Sequence, residues 1–338
     1  MDEFQHALPK GYRFENRRYE ILGVLGSEGV FINYQARDLD LEKDVAIREF
    51  FFRPMVERRE DRMIPVPPVD QDFIDWAIHE IWAEGKQMAA ARSPFLPRIH
   101  NSFNENGTVY IVQELIEGEN LSEFIRRRGK LGPAEFRALF MSMLDGLEAL
   151  HGTDRLHGDI RPTNIIIRKK DKTPVLVNID WAQLTILRLA QEKGLYSGIT
   201  KVLGPKYTAL EMYHATAPKG VHIDIYSLAG VACSLLYGSP PFATERVIDD
   251  PLAGWTEKVE GYDRGFLQAI NAGLAIHAKD RPSSVAEWRR MFEAAERGEV
   301  IPPASHQEGE SGAVAPPPAS PEPSWWKALF ARLGFGKS

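Results

Sequence analysis

The alternation of apolar and polar positions divides the chain into a strand-rich first part and a helix-rich second part. Residues 1–16 form a polar lead-in. Over 17–52, "RYEILGVLG", "VFINYQARD" and "DVAIREFF" carry β-branched and aromatic residues between turn signals, which predicts strands. The segment 53–72, "RPMVERREDRMIPVPPVDQD", breaks this pattern with four prolines and mixed charge, and predicts an exposed insertion. Beyond it, Phe73, Ile74, Ala77, Ile78, Ile81, Trp82 and Met88 recur close to every 3.6 residues, the period of an amphipathic helix. "TVYIVQEL" (108–115) predicts another strand.

The period then changes. "PAEFRALFMSMLDGLEALHG" (133–152) predicts a long helix, with Pro133 suited to its first turn. A polar loop, two short strands and an irregular stretch over 181–207 follow. "HIDIYSLAGVACSLLYG" and "SVAEWRRMFEAAERG" predict further helices. Residues 301–323 are rich in Pro, Ser, Glu and Gly without apolar period, the composition of a disordered or semi-extended linker. The end, "SWWKALFARLGFGKS" (324–338), places Trp325, Trp326, Leu329, Phe330 and Leu333 on one helical face. Its charges are Lys327, Arg332 and Lys337, and Ser324 can cap its start.

Composition narrows the function. In 338 residues, 43% are hydrophobic and 26% charged, enough for a real core. A net charge of −6 gives no electrostatic case for nucleic acid. The single cysteine, Cys233, excludes an internal disulfide and lies in an apolar run, so a buried core thiol is expected. The first residues lack the basic and apolar regions of a signal peptide. No stretch reaches the roughly 18 apolar residues of a membrane span. A cytoplasmic protein is expected, with peripheral membrane contact through the C-terminal helix as an option.

The chemistry concentrates in "LHGDIRPTNIII" (156–167), where His157, Asp159 and Asn164 precede a β-branched run. A small sheet with one helix, followed by a helical lobe around this His-x-Asp-x-x-x-x-Asn loop, resembles the bacterial serine/threonine protein kinase family over about 17–296. The resemblance implies a two-lobed α+β fold, with a β-rich N-lobe (17–115) carrying one long helix and a larger helical C-lobe (116–300).

It also implies roles. In this family a glycine-rich hairpin covers the ATP phosphates; Gly26 fits its first glycine, and Glu28 and Phe31 stand at the second and third, with Gly29 partly compensating. The strand lysine that pairs with the phosphates and a helix glutamate is Arg48 here, with Glu84 as its helix partner. Arginine is longer and planar, so it is not equivalent there. Gln113 guards the back of the adenine pocket, and backbone from Glu114 to Ile116 faces the adenine edge. Asp159 matches the catalytic base and Asn164 a metal ligand, while Arg161 replaces the usual lysine. Gly158 replaces the arginine that reads a phosphorylated activation loop.

The other magnesium ligand has two registers in "TPVLVNIDWAQL": Asp180, which is favoured, or Asn178 two residues earlier. Residues 181–207 correspond to the activation loop, where Thr185, Tyr196, Ser197, Thr200 and Tyr207 could accept phosphate. Gly204 stands where a threonine usually contacts the catalytic aspartate. Glu211 with Arg281, and Asp224, match structural groups of the helical lobe.

Parts that shape the lobes are thus present, and parts that handle phosphate are depleted. Four changes, at Glu28, Phe31, Arg48 and Gly204, touch ATP or substrate geometry in a reaction that is almost wholly positioning and electrostatics. A pseudokinase acting as a signalling scaffold or regulatory binding module is expected, with weak or absent ATP and magnesium binding. The alternatives are an active atypical serine/threonine kinase and a nucleotide-binding switch without transfer. A protein is the expected partner or substrate. The C-terminal helix is expected on a partner, on the kinase-like domain itself or on a membrane surface.

Overall fold

The computed structural model describes residues 4–299 except 5, 15–17, 180, 198–203, 215 and 216, and excludes the side chains of Glu28 and Trp181. The linker, the tryptophan-rich tail, Thr200 and Asp180 lie outside the described residues.

The N-lobe is a five-stranded antiparallel sheet. Strands β1 (Tyr19–Glu28), β2 (Phe31–Asp38) and β3 (Lys43–Phe50) follow in order. A small hairpin follows, β4 (Val56–Arg59) with β5 (Arg62–Pro65), then helix α1 (Gln71–Met88) and strands β6 (Ile99–Glu105) and β7 (Thr108–Glu114). The sheet order is β1-β2-β3-β7-β6. Helix α1 starts at Asp70, whose side chain accepts from the Phe73 amide and satisfies one of the first turn's free donors. It buries Phe73, Ile74, Ala77, Ile81 and Met88, five of the seven positions that its period singles out.

The C-lobe begins at β8 (Gly118–Asn120), reached through residues 115–117, which belong to no strand. It continues through α2 (Leu121–Arg128) and α3 (Pro133–His151), then β9 (Ile165–Arg168) and β10 (Pro174–Leu176). Helix α4 spans Trp181–Glu192, and α5 (His222–Leu236), α6 (Arg264–Gly273) and α7 (Val285–Glu296) complete the lobe. Its core gathers Phe140, Leu144, Leu228, Ile270, Trp288 and Phe292. Cys233 is fully buried and its thiol is pushed up to about 12 by burial, so it is an inert core group.

Three sequence expectations change. The lead-in is not a detached polar segment: Leu8 and Phe14 are buried in the N-lobe core, because the outer sheet face presents Tyr34 and Tyr110 for them to cover. The Leu8 amide donates to the Tyr34 hydroxyl at 3.0 Å. The insertion is not wholly exposed: Met55, Val56, Met63 and Val69 pack into the same core. It is tied down by Arg58, which pairs at 2.6 Å with the fully buried Glu49, itself accepting from Tyr34 and Tyr110. A charge that deep persists only with such partners. Finally, the irregular stretch over 181–207 opens as helix α4. Its Ala182, Ile186, Leu187 and Ala190 join the N-lobe core, and their spacing is that of one helical face.

Candidate active site

Strand pairing decides which side chains face the cleft. Opposite residues of antiparallel strands share a face, and the register sets Asn33 against Arg48 and Arg48 against Ile111. Phe31 pairs with Phe50 on that same face. The face therefore carries Phe31, Asn33, Arg48 and Ile111, and Ile111 packs against Gly85 of α1.

Where the resemblance implies phosphate contacts, this face carries a stacked pair of its own side chains. The Arg48 guanidinium lies 4.1 Å from the centroid of the Phe31 ring, and both residues are buried. Arg48 also donates to the Ile179 carbonyl at 3.2 Å. Planar guanidinium on an aromatic face is a favourable arrangement. It places the arginine's flat head where the resemblance implies a compact ammonium. Glu84 is buried, and its Oε1 accepts from the Ala182 amide of α4 at 2.9 Å. Gly26 pairs with Asn33 in the hairpin. Gly29 sits at φ +59° in the tight turn beyond it, a left-handed conformation that favours glycine. Gln113 is buried, and Glu114 accepts from Arg168 at 3.1 Å, tying β7 to β9.

Across the cleft, Asn164 donates to both the Asp159 carbonyl (2.9 Å) and its Oδ2 (2.8 Å). Arg161 Nε lies 2.9 Å from the same Oδ2. The candidate base is thus held by an amide and a guanidinium at one oxygen. Gly204 makes this possible: a Cβ there would lie 3.1 Å from Arg161 Cδ and 3.2 Å from Asp159 Oδ1. The missing threonine and the arginine beside the base are one structural fact.

For the metal, Asn178 is the candidate that can be placed. Its Nδ2 donates to Asn164 Oδ1 at 3.1 Å, so the Asn178 register brings its residue onto the matched asparagine. Asp180, the favoured register, lies outside the described residues. Magnesium takes hard oxygen ligands, usually with carboxylate charge. The two facing amides of Asn164 and Asn178 bring no carboxylate charge to this point. Among the described residues no group of three His, Cys, Asp or Glu side chains is arranged to hold a metal ion.

The supports beneath the site centre on two buried charges, Asp224 and Arg281. Asp224 is fully buried and accepts from the His157 amide (2.7 Å), the Gly158 amide (2.9 Å) and His151 Nε2 (2.8 Å). Although burial disfavours its charge, these partners hold its carboxyl below the ordinary aspartate value. Burial pushes His157 down to about 4, so it stays neutral. Arg281, fully buried, pairs with Glu211 at 2.7 and 3.2 Å and also donates to the Ala275, Ile276 and His222 carbonyls. Gln183 was not foreseen. It is buried and reaches the glycine turn, and the helical spacing of "WAQLTILRLA" was the signal that could have found it.

The protein kinase domain family matches residues 54–269, well over half the chain. Serine/threonine-protein kinase PknA of Nostoc sp. is 28% identical over 62% of this chain and 36% of its own length. Serine/threonine-protein kinase C of Synechocystis sp. is 26% identical over 82% of this chain and 50% of its own. The chain spans about a third to a half of these relatives. The solved structure of PpkA-294 in its apo form matches with a TM-score of 0.70 and 28% identity, covering 85% of this chain and all of that one, 100%. The Mycobacterium tuberculosis PknI kinase domain shares the fold, with a TM-score of 0.59 and 19% identity over 86% of this chain and 99% of that one. With the lobes, the catalytic-loop anchor and the buried Glu211–Arg281 pair all in place, the chain belongs to the protein kinase family, among its bacterial serine/threonine kinase-like members.

Proposed function

We propose that this chain is a pseudokinase, a signalling scaffold or regulatory module whose kinase-shaped surface holds a protein partner. The observation that carries the reading is the self-occupied cleft, with Phe31 and Arg48 stacked at its phosphate end. Two further features support it. Arg161 covers the Asp159 oxygen that would receive a hydroxyl proton, and the Asn164–Asn178 pair lacks the charge magnesium prefers. Protein kinase domains as a family bind ATP with magnesium; here binding is expected to be weak or absent. Among the described residues no helix is long and apolar enough to cross a membrane. The tryptophan-rich end remains the candidate contact with a partner, with the domain itself or with a membrane surface.

One observation favours a second reading, an active atypical serine/threonine kinase. Asp159 and Asn164 keep a mutual hydrogen bond, and a catalytic loop so ordered could orient a hydroxyl. The deciding experiment uses the full chain with labelled ATP and magnesium or manganese, beside the Asp159→Ala variant. The scaffold reading expects no transfer that depends on Asp159, and partner capture that survives the substitution. Transfer lost in Asp159→Ala would establish the kinase instead. A metal-dependent rise in melting temperature with ATP, without transfer, would indicate a nucleotide-binding switch.

A further inference from the structure

The turn joining β1 to β2 is two residues long, Gly29 and Val30, since Glu28 pairs directly with Phe31. Backbone amides gathered at a turn with a left-handed residue form a concavity suited to an anion. In this fold one amide of that turn already has a side-chain partner. The Oε1 atom of Gln183, on the first turn of α4, accepts from the Val30 amide at 2.8 Å. The approach is so close that a Cβ on Gly29 would lie 1.8 Å from that oxygen. Gln183 is 3% exposed, so the bond lies away from bulk solvent.

The rest of α4 is fixed to the same lobe. The Ala182 amide donates to Glu84 of α1. Ile186, Leu187 and Ala190 are fully buried in the N-lobe core. Beyond the helix, the Leu195 and Tyr196 amides both donate to the Ala190 carbonyl, and the Tyr196 ring meets Phe52 edge-on, with centroids 5.0 Å apart. The start of the segment that corresponds to an activation loop is therefore built into the N-lobe, with one polar side chain directed at the glycine turn.

We propose that α4 is an intramolecular occupant of the phosphate-cradling turn. The Gln183 carbonyl takes the Val30 amide that a nucleotide phosphate oxygen would otherwise take, and nucleotide reaches this end of the cleft only when α4 leaves. The inference rests on the kinase-like reading of the cleft and adds to it a means of regulation. Glu84 and Gln183 act together: one bonds the helix backbone to α1, the other bonds the helix to the hairpin, so displacing α4 frees both walls at once.

The test compares the full chain with Gln183→Met, which keeps side-chain volume and removes the acceptor. The two readouts are hydrogen exchange at residues 26–31 and 181–192, and the affinity for ATP. In the variant, exchange at the hairpin tip rises by about tenfold, as a buried amide loses its partner, and ATP affinity rises by at least about fivefold. Unchanged tip exchange, or equal ATP affinity in the two proteins, overturns the proposal. A second measurement needs no variant: saturating ATP on the native chain must raise exchange across 181–192 if it binds at all. ATP bound with α4 still protected overturns the proposal even where Gln183→Met fails to fold. The outcomes separate the two readings. Transfer that depends on Asp159 defeats the pseudokinase reading and leaves the latch intact, whereas equal ATP binding defeats the latch without restoring transfer.

Discussion

The two walls of the cleft are built on opposite terms. On the C-lobe side, buried charges serve architecture: Asp224 holds the catalytic-loop backbone by two amides, and Arg281 spends all of its donors on Glu211 and carbonyls. On the N-lobe side, the contacts run between neighbouring side chains and backbone: Arg48 stacks on Phe31, and Gln183 accepts from the Val30 amide of the glycine turn. On the pseudokinase reading proposed above, internal contacts of this kind would keep the fold stable without a ligand, since stability depends on satisfied buried groups whatever satisfies them.

The sharpest way to break the comparison is on the architectural wall. Arg281→Met leaves Glu211 buried without its partner, and a cost of about 3–5 kcal/mol is expected in urea denaturation. Glu211→Gln together with Arg281→Met should recover part of it. If the single variant costs little, the pair is not structural and the two walls do not differ.

Phe31→Ala tests the other wall. Removing a buried ring and its stacked cation should cost about 3 kcal/mol, and Arg48 should lose its fixed position, visible as a change in the spectra of neighbouring side chains. The catalytic-loop anchor should be untouched. Spread of the change to Asp224 and His157 would mean that the walls are coupled.

Acid sensitivity comes from the C-lobe wall. The folded pKa of His157 is about 4, below its ordinary 6.5. Below pH 6.5 the unfolded chain therefore binds a proton that the fold refuses. Stability falls as pH drops from 6.5 to about 4, by about 3 kcal/mol in total, and this group adds no slope above 6.5. Asp224 adds a further loss below its ordinary carboxylate range, because its folded pKa is lowered. Denaturation midpoints across pH 4–7 should decline more steeply in the native chain than in His157→Phe. Equal slopes would refute the assignment.

The smallest effect is expected where the walls meet. Gly204→Thr places a Cβ about 3 Å from Arg161 and Asp159, so Arg161 must swing away, at a cost of about 1 kcal/mol. The measurable consequence is release of the Asp159 carboxylate, seen as a shift in its titration by NMR. An unchanged titration would show that Arg161 does not govern that oxygen.

The sequence alone determined a good deal. The period-3.6 run in α1, the β-branched strands β1–β3 and β7, and the long helix α3 are local signals, strong because one face of each element is buried. The order of motifs around His157, Asp159 and Asn164 carried the two-lobed fold, and Asp224, Glu211 and Arg281 were legible because their partners sit at characteristic places in that fold. Arg48, Phe31 and Gly204 were visible as departures, but what they did with the space was not.

Tertiary structure decided the rest. Periodicity does not show what Asn178 meets, whereas packing brought it onto Asn164; Asp180 lies outside the described residues. Leu8 and Phe14 belong to a short polar stretch, and only the aromatic outer face of the sheet made them core. Gln183 is one polar residue in a helix until the fold brings it against Gly29, more than 150 residues away in the chain. Periodicity reports which face of an element is buried. It carries no information on which distant group that face will meet, and in this molecule the state of the cleft depends on those meetings.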